Sequence, residues 1–513
     1  MEPPHILNLP DDILYEIFNH FKCDKIHRGL FDSSIYDDGA KRLTVQDARL
    51  VCRLFNKLAS PLLCPTLRVR LDHASLDLVA KVSESPLIAE GVCNIEIVVG
   101  YRPRELATDL LRFAKHRAMD LRFHIGDGYR CVMEEIEFNG GDDETISDYP
   151  YEVYQQITDY GENIRSAWIE YTRAADKGAI SPEYLHLLLQ GHQEYIQKHE
   201  EQFQLITDGS FVERLASAMS RMAHCASLHF VDDVDCYSTL DDVSPLVFRD
   251  DAREFSRFMT APLSWSEIRH LKVGEILPAK LLWELPIALH KAGLILRAML
   301  IHTFPHPDWC PAIYPATWTN LYDACHHLRI FRLEGISLGR SSETSDPVLG
   351  RGLAFVERYI GTVLSSEDFE LINLRFRDSA VGDDVASYRV GLLPEAINWP
   401  RIKKLSISYI SLSQDELEKF CCGLGYMVED IRLNNIDLRS GSWAGALDML
   451  RERVPKKRQE MILPCFCFWE LTGGEFGKES RESYLGIKLT KNPLVEKCRD
   501  YVFGLGVTEN PLR

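Results

Sequence analysis

No stretch of the sequence approaches the ~20 consecutive apolar residues that a bilayer-spanning helix requires. Asn-x-Ser/Thr acceptors are absent as well. Met1-Glu2-Pro3-Pro4-His5 is neither basic nor followed by an apolar run, so no secretory leader is expected. The 14 cysteines show no regular paired spacing: Cys421 and Cys422 are adjacent, and Cys465 and Cys467 lie one residue apart. That argues against a disulfide framework and predicts reduced thiols in the cytoplasm or nucleus. Positive charge is in deficit, with 58 Lys and Arg against 76 Asp and Glu and a net charge of −18. A duplex nucleic acid or an anionic membrane needs a basic face, so neither is expected as a partner. A phosphate-binding Gly-rich loop, a dinucleotide fingerprint and a His-Glu-x-x-His pair are missing too.

What is present is ordinary globular composition, 45% hydrophobic and 26% charged over 513 residues. At roughly 150 residues per domain, this predicts about two to four folding units. The N-terminal region is the most patterned. Leu9-Pro10-Asp11-Asp12 opens a helix, with Pro10 suited to the first turn and two carboxylates at its positive end. Ile13, Leu14, Ile17, Phe18 and Phe21 follow on one stripe. After a polar gap from Lys22 to Arg42, a second helical run is expected from behind Thr44 to about Pro61. It carries Val45, Ala48, Cys52, Phe55, Ala59 and Leu62 on one face. Leu50, Leu54 and Leu58, with Val51 beside them, form a second. Two apolar faces on a short helix exceed the needs of one small core. Either the protein encloses the helix itself, or one face receives a partner.

The blocks Leu9-Pro10-Asp11-Asp12-Ile13-Leu14-Tyr15-Glu16-Ile17-Phe18 and Leu50-Val51-Cys52-Arg53-Leu54-Phe55-Asn56-Lys57-Leu58-Ala59 resemble an F-box in order and in phase. That family's pattern is Leu-Pro-x-Glu-Ile-Leu-x-x-Ile-Phe, then Leu-Val-Cys-Arg-x-Trp/Phe-x-x-Leu-Ala. Pro61-Leu62-Leu63-Cys64-Pro65-Thr66-Leu67 resembles the continuation common in F-box proteins of filamentous fungi. Asp12 stands where Glu is commoner and Phe55 where Trp is commoner, and the gap between the blocks is longer than usual. The resemblance implies docking to the Skp adaptor of a cullin–RING (SCF-type) ubiquitin ligase, in the helix-in-groove mode. It assigns adaptor contacts to Leu9, Pro10, Ile13, Leu14, Ile17, Phe18, Leu50, Val51, Cys52 and Phe55. It also implies a substrate-recognition subunit whose partners transfer the ubiquitin, so the chain itself is not expected to be an enzyme.

Beyond Pro65 a second template recurs, apolar-x-x-apolar-x-apolar. It reads Ile268, Leu271, Val273, Ile276; Leu296, Met299, Ile301; Leu328, Phe331, Leu333, Ile336, Leu338; and Phe369, Ile372, Leu374. It continues as Ile402, Leu405, Ile407, Ile410, Leu412 and as Val428, Ile431, Leu433, Ile436, Leu438. Earlier copies are expected at Val92, Ile95, Ile97 and at Cys225, Leu228, Phe230. From Ile268 onward the copies start 28, 32, 41, 33 and 26 residues apart. That is an irregular version of the leucine-rich-repeat spacing. Ser413-x-x-Glu416 is a capping box opening a helix between two copies. An unrelated α/β domain with alternating elements fits the same pattern.

The expected organisation is therefore mixed α/β. Residues 1–65 form a helical F-box with a loop inserted at 22–42, and residues 66–490 a leucine-rich-repeat-like solenoid of strand–helix units. An acidic insertion and helices interrupt the solenoid at about 126–224, and residues 491–513 form a tail or cap. Between Asp127 and Glu162 there are eleven acidic residues and one basic residue, Arg130. This stretch reads as a solvated insertion or as a docking segment for a basic partner.

Three motifs invite chemistry. Gly335-Ile336-Ser337-Leu338-Gly339 matches a nucleophile elbow, which would make Ser337 a hydrolase serine, but no helical stripe follows it. His302, His306 and Cys310 are four apart, yet Pro305 and Pro307 break the helix that would align them on a zinc ion. Neither metal nor cofactor is expected. Phe304 to Tyr322 reads as a loop displaying Trp309, Tyr314, Trp318 and Tyr322, suited to holding a target protein or to packing over a repeat edge. An adaptor-binding scaffold working outside a ligase is the other reading of the whole.

Overall fold

The computed structural model of the chain describes residues 9–19, 38–139, 149–173, 182–232, 252–268, 271, 274–306, 309–336, 347–376, 388–389, 398–454, 465–469, 471–476 and 493–513. The chain divides into two compact units. One comprises Met1–Val98, Gly209–Val231 and Ala279–Arg513, and the other Val99–Asp208 and Asp232–Pro278.

The first unit opens with three helices: α1 (Asp11–Asn19), α2 (Asp38–Val51) and α3 (Arg53–Ala59). They lead into a parallel sheet. Among the described residues its main path has nine strands, β1 (Thr66–Arg70), β2 (Asn94–Val98), β3 (Ser227–Val231), β4 (Ala298–Ile301), β5 (Ile330–Leu333), β6 (Leu371–Arg375), β7 (Lys404–Leu412), β8 (Asp430–Leu438) and β9 (Cys465–Trp469), while the two-residue strands Tyr388–Arg389 and Thr472–Gly473 pair alongside β7 and β8. Along that path each pairs with the next in chain order, and every pairing is parallel. Parallel neighbours cannot be closed by a tight hairpin, so helices carry the chain back between most of them. These helices also pack on one another in chain order, from His73–Ser83 through Ser210–Met219, Leu281–Lys291 and Pro315–Cys325 to Pro347–Val363. Gln414–Cys422, Trp443–Arg453 and Pro493–Val502 continue in the same manner.

The repeated template explains where the core lies. From Val92, Ile95 and Ile97 through to Val428, Ile431 and Leu433, its positions on the strands are 3% exposed or less. One residue before each strand, backbone groups form a ladder: Cys93 N donates to the carbonyl of Pro65 (2.9 Å), and Ala226 to Cys93 (3.3 Å). Arg297, Arg329, Glu370, Lys403 and Glu429 then each donate to the equivalent residue before them, at 2.7–2.9 Å. A further regularity joins β7 and β8. Their apolar residues fall two apart as far as Ile407 and Leu433, then three apart to Ile410 and Ile436. A plain strand would turn Ile410 and Ile436 to the opposite face. Tyr409 and Asn435, at matched positions, take left-handed backbone (φ 63° and 53°), and the extra residue restores the phase. Both isoleucines are fully buried.

Some expectations are corrected. Ile268 ends a short helix, Trp265–Ile268, in the second unit, so the first proposed copy of the template is not a strand. β1 was hidden because its residues Thr66 and Leu67 also continue the N-terminal block. The second helical run does not pass unbroken to Pro61: Cys52 is extended (φ −162°) and its Sγ accepts from Phe55 N at 3.4 Å, capping a new helix. The expected tail or cap at 491–513 contains a helix, Pro493–Val502. Past that helix, Asn510 Nδ2 donates to the carbonyl of Ala444 (2.7 Å), anchoring the tail on Trp443–Arg453.

The second unit is helical: α4 (Leu110–Asn139), α5 (Tyr149–Arg173), α6 (Pro182–Thr207) and α7 (Ala252–Met259). It starts at Val99, earlier than the expected insertion, and takes in a second segment because Tyr101 and Leu263 exchange backbone hydrogen bonds (2.9 and 2.8 Å). The acidic stretch is helical on both sides of residues 140–148, which lie outside the described residues. Along α6 the residues Leu188, His192, Tyr195, His199, Gln202 and Ile206 step alternately by four and three, all buried. The polar ones satisfy the backbone entering the unit. Gln202 donates to Gly100 O (2.8 Å) and accepts from Arg102 N (2.9 Å), His199 Nδ1 donates to Arg102 O (2.7 Å), and His192 Nε2 to Leu106 O (3.0 Å). Gln202→Leu keeps the volume but strands two buried backbone groups. It is expected to destabilise this unit by about 2–4 kcal/mol, measured by urea unfolding. A loss below about 1 kcal/mol would show that the pairing contributes little.

Candidate partner-binding surfaces

The first candidate surface is the α1–α3 assembly. Its core is Leu14, Phe18, Val45, Phe55 and Ala59, with Leu9, Ile17, Ala48, Cys52, Leu54, Leu58, Leu62 and Leu63 packed around them. Phe18 meets Phe55 edge to face, with ring centroids 5.2 Å apart. Arg49 Nε donates to Ser60 Oγ (3.0 Å), and Ser60 Oγ to Asn56 Oδ1 (2.7 Å), which ties the end of α3 back to α2. The carbonyl of Pro61 then lies against Gly91, where a Cβ would come within 1.6 Å of the oxygen, so only glycine fits.

The ten residues assigned to adaptor contact thus divide. Leu14, Phe18 and Phe55 are buried inside the assembly, because a core this small needs its largest side chains; they support a surface but do not form it. Leu9, Ile17 and Cys52 are half-buried, and Pro10 is exposed. Ile13 is 44% exposed, Leu50 84% and Val51 54%. Leu50 and Val51 come just before the break at Cys52, where α2 ends. Tyr15 and Leu43 are also exposed and were not singled out from the sequence. Leaving such side chains in water forgoes about 1.5–3 kcal/mol each relative to full burial.

The second candidate surface is the outward row of the sheet. In register across nine strands stand Arg68, Glu96, His229, Leu300, Arg332, Asn373, Ser406, Arg432 and Cys467. Beside Leu300, Ala298, Ile330 and Leu371 form a small apolar cluster separate from the main core. Charges around it are paired: Arg68 with Glu96 (3.0 Å), Lys403 with Glu370 (2.7 Å), Arg432 with Asp430 (3.0 Å) and Arg332 with Glu334. His229 hydrogen-bonds Ser227 Oγ (3.0 Å), and burial, aided by the Arg332 charge, pushes its imidazole down to about 4.

The aromatic segment is not one surface. The expected loop holds only in part, because Pro315 occupies the first turn of the helix Pro315–Cys325. Trp318 lies on that helix's buried face, under the guanidinium of Arg358 at 4.8 Å. Tyr314 and Tyr322 are exposed, Tyr322 stacking on His326, and Trp309 is half-buried against His306. His302 pairs with Glu334 (3.4 Å), and among the described residues no group of three His, Cys, Asp or Glu side chains is placed to hold a metal. Ile336 is buried on the sheet template, whereas Ser337 lies outside the described residues. No helix among the described residues is long and apolar enough to cross a membrane. Comparison with family models, with curated proteins and with solved structures finds no match.

Proposed function

We propose that the chain is a substrate-recognition subunit of a cullin–RING ubiquitin ligase. Its α1–α3 assembly is an F-box that docks a Skp-type adaptor, and its sheet unit is a leucine-rich-repeat-like solenoid that holds a target protein. The observation that carries this reading is that α1–α3 fill their own core with Leu14, Phe18, Val45, Phe55 and Ala59 yet leave Ile13, Leu50 and Val51 exposed. The parallel strands in unbroken chain order, with the template positions buried, support the solenoid. In this reading the protein works by tethering: a bound target meets the ubiquitin carrier at high effective concentration, and other subunits do the chemistry.

The test is co-purification of the full chain with the adaptor. Changing Ile13, Leu50 and Val51 together to Ala removes three exposed anchors, and adaptor binding is expected to fall at least 100-fold. The melting temperature should hold, since none of the three lies in the core. Wild-type chain that is folded but does not bind the adaptor would sink the ligase reading.

A further inference from the structure

The helical unit carries an exposed surface unrelated to α1–α3 or to the sheet. The first half of α4 is pinned through one face, with Phe113, Ala114, Arg117, Ala118, Leu121 and Ile125 all buried. On the other side Leu111, Met119 and Phe123 are 46%, 54% and 66% exposed. At 3.6 residues per turn these three fall within an arc of about 120°. Lys115 and Arg122, both exposed, fall inside the same arc, and Arg112 near its edge. Isolated apolar residues on a surface are ordinary, but three large ones aligned on one helix face mark a contact site.

The charge on this face identifies the partner. Between Leu110 and Ile125 the only carboxylate is Asp120, and it is engaged by His116 (2.9 Å) and Arg117 (2.8 Å) on the buried side. Asp109 pairs with Arg112 at 3.5 Å. Lys115 and Arg122 therefore give the stripe a positive potential within a chain of net charge −18. An extended polyanion such as a membrane surface would also meet the acidic stretch beginning at Asp127 on the same helix. A short helix with a few carboxylates would meet only its first member, because Glu134 and Glu135 start about 16 Å along the axis from Phe123, beyond the screening length of about 8 Å at physiological salt. We infer that this face binds an acidic amphipathic helix of a partner protein, its apolar residues packing on Leu111, Met119 and Phe123 and its carboxylates facing Lys115 and Arg122.

The probe is a designed helical peptide with Leu and Ile at i, i+3, i+4 and i+7 and Glu flanking them, titrated against the full chain by fluorescence anisotropy. A second peptide has Lys in place of every Glu. The acidic peptide is expected to bind, and more weakly as salt rises. Phe123→Ser should weaken it at least tenfold, as should the pair Lys115→Glu and Arg122→Glu, which should in turn bind the lysine peptide. All three positions are exposed, so unchanged circular dichroism is expected for each variant, and Met119→Gln provides an independent apolar test. Four results overturn the proposal: no binding of the acidic peptide, binding indifferent to these changes, capture by phosphatidylserine vesicles through the same residues, or a dimer of the chain that the same changes dissolve.

Discussion

Arg117→Ala is expected to lower the stability of the helical unit by about 3–5 kcal/mol, the cost of removing one partner of a buried ion pair and leaving Asp120 to His116 alone. Arg117 is fully buried. Its Nη1 donates to Asp120 (2.8 Å) and its Nη2 to the carbonyl of Ala261 (2.7 Å), joining α4 to the chain just past α7. The rings of Phe113, Tyr195 and Phe258 surround it, with centroids 5.6–5.8 Å from the guanidinium carbon. Alanine would leave a buried carboxylate, an unpaired carbonyl and a cavity among three rings. Urea unfolding, with amide exchange to locate the loss in α4 and α6, measures the effect. Arg117→Met with Asp120→Leu should recover part of it, because removing both charges costs less than orphaning one. A loss below 1 kcal/mol for Arg117→Ala would mean that the site relaxes or admits water.

The pair also sets an acid dependence. Burial raises the carboxyl of Asp120, but the hydrogen bond from His116 and the charges of His116 and Arg117 outweigh it and hold the group below its ordinary value of 3.8. A carboxyl depressed in the folded state stabilises the fold fully above the unfolded value, and that share disappears as pH falls through the folded one. The wild-type unit should therefore lose stability below about pH 4 through this group, and an Asp120→Asn variant should lack that component of the profile.

How much of this was legible in the sequence varies with the kind of signal. The strand template was, because burial on one face of a strand demands alternation, and seven of its copies coincide with β2 to β8. Ile268, Leu271 and Ile276 matched the template too, since the spacing alone does not tell a helix end such as Ile268 from a strand. The stripe on α6 was present in the spacing of four and three. The burial of His192, His199 and Gln202 on it was not, because sequence does not reveal which backbone groups a buried polar side chain will meet. The pairing of the two segments of the helical unit, through Tyr101 and Leu263, left no local trace. In α1–α3 both apolar faces were visible, but the break at Cys52, which decides that Leu50 stays in water, depends on one backbone dihedral.

That division predicts how two kinds of substitution separate. Phe18→Ala is expected to cost about 3–5 kcal/mol, since it removes a buried ring and its edge-to-face contact with Phe55. Among the described residues the core of α1–α3 has five buried residues, including Leu14, Phe18 and Phe55. A loss of that size exceeds what so small an assembly can hold in reserve, so α1 should detach while the sheet, whose core lies elsewhere, remains folded. Limited proteolysis and amide exchange should show protection lost over residues 11–19 and 38–59 and retained from β2 onward. Any failure of Phe18→Ala to bind an adaptor would then report unfolding, whereas failure of the Ile13, Leu50 and Val51 variant with protection intact would report a lost contact. If Phe18→Ala left exchange in α1 and α3 unchanged, the ring would not be part of the assembly's core, and Phe18 would return to the surface as a direct contact.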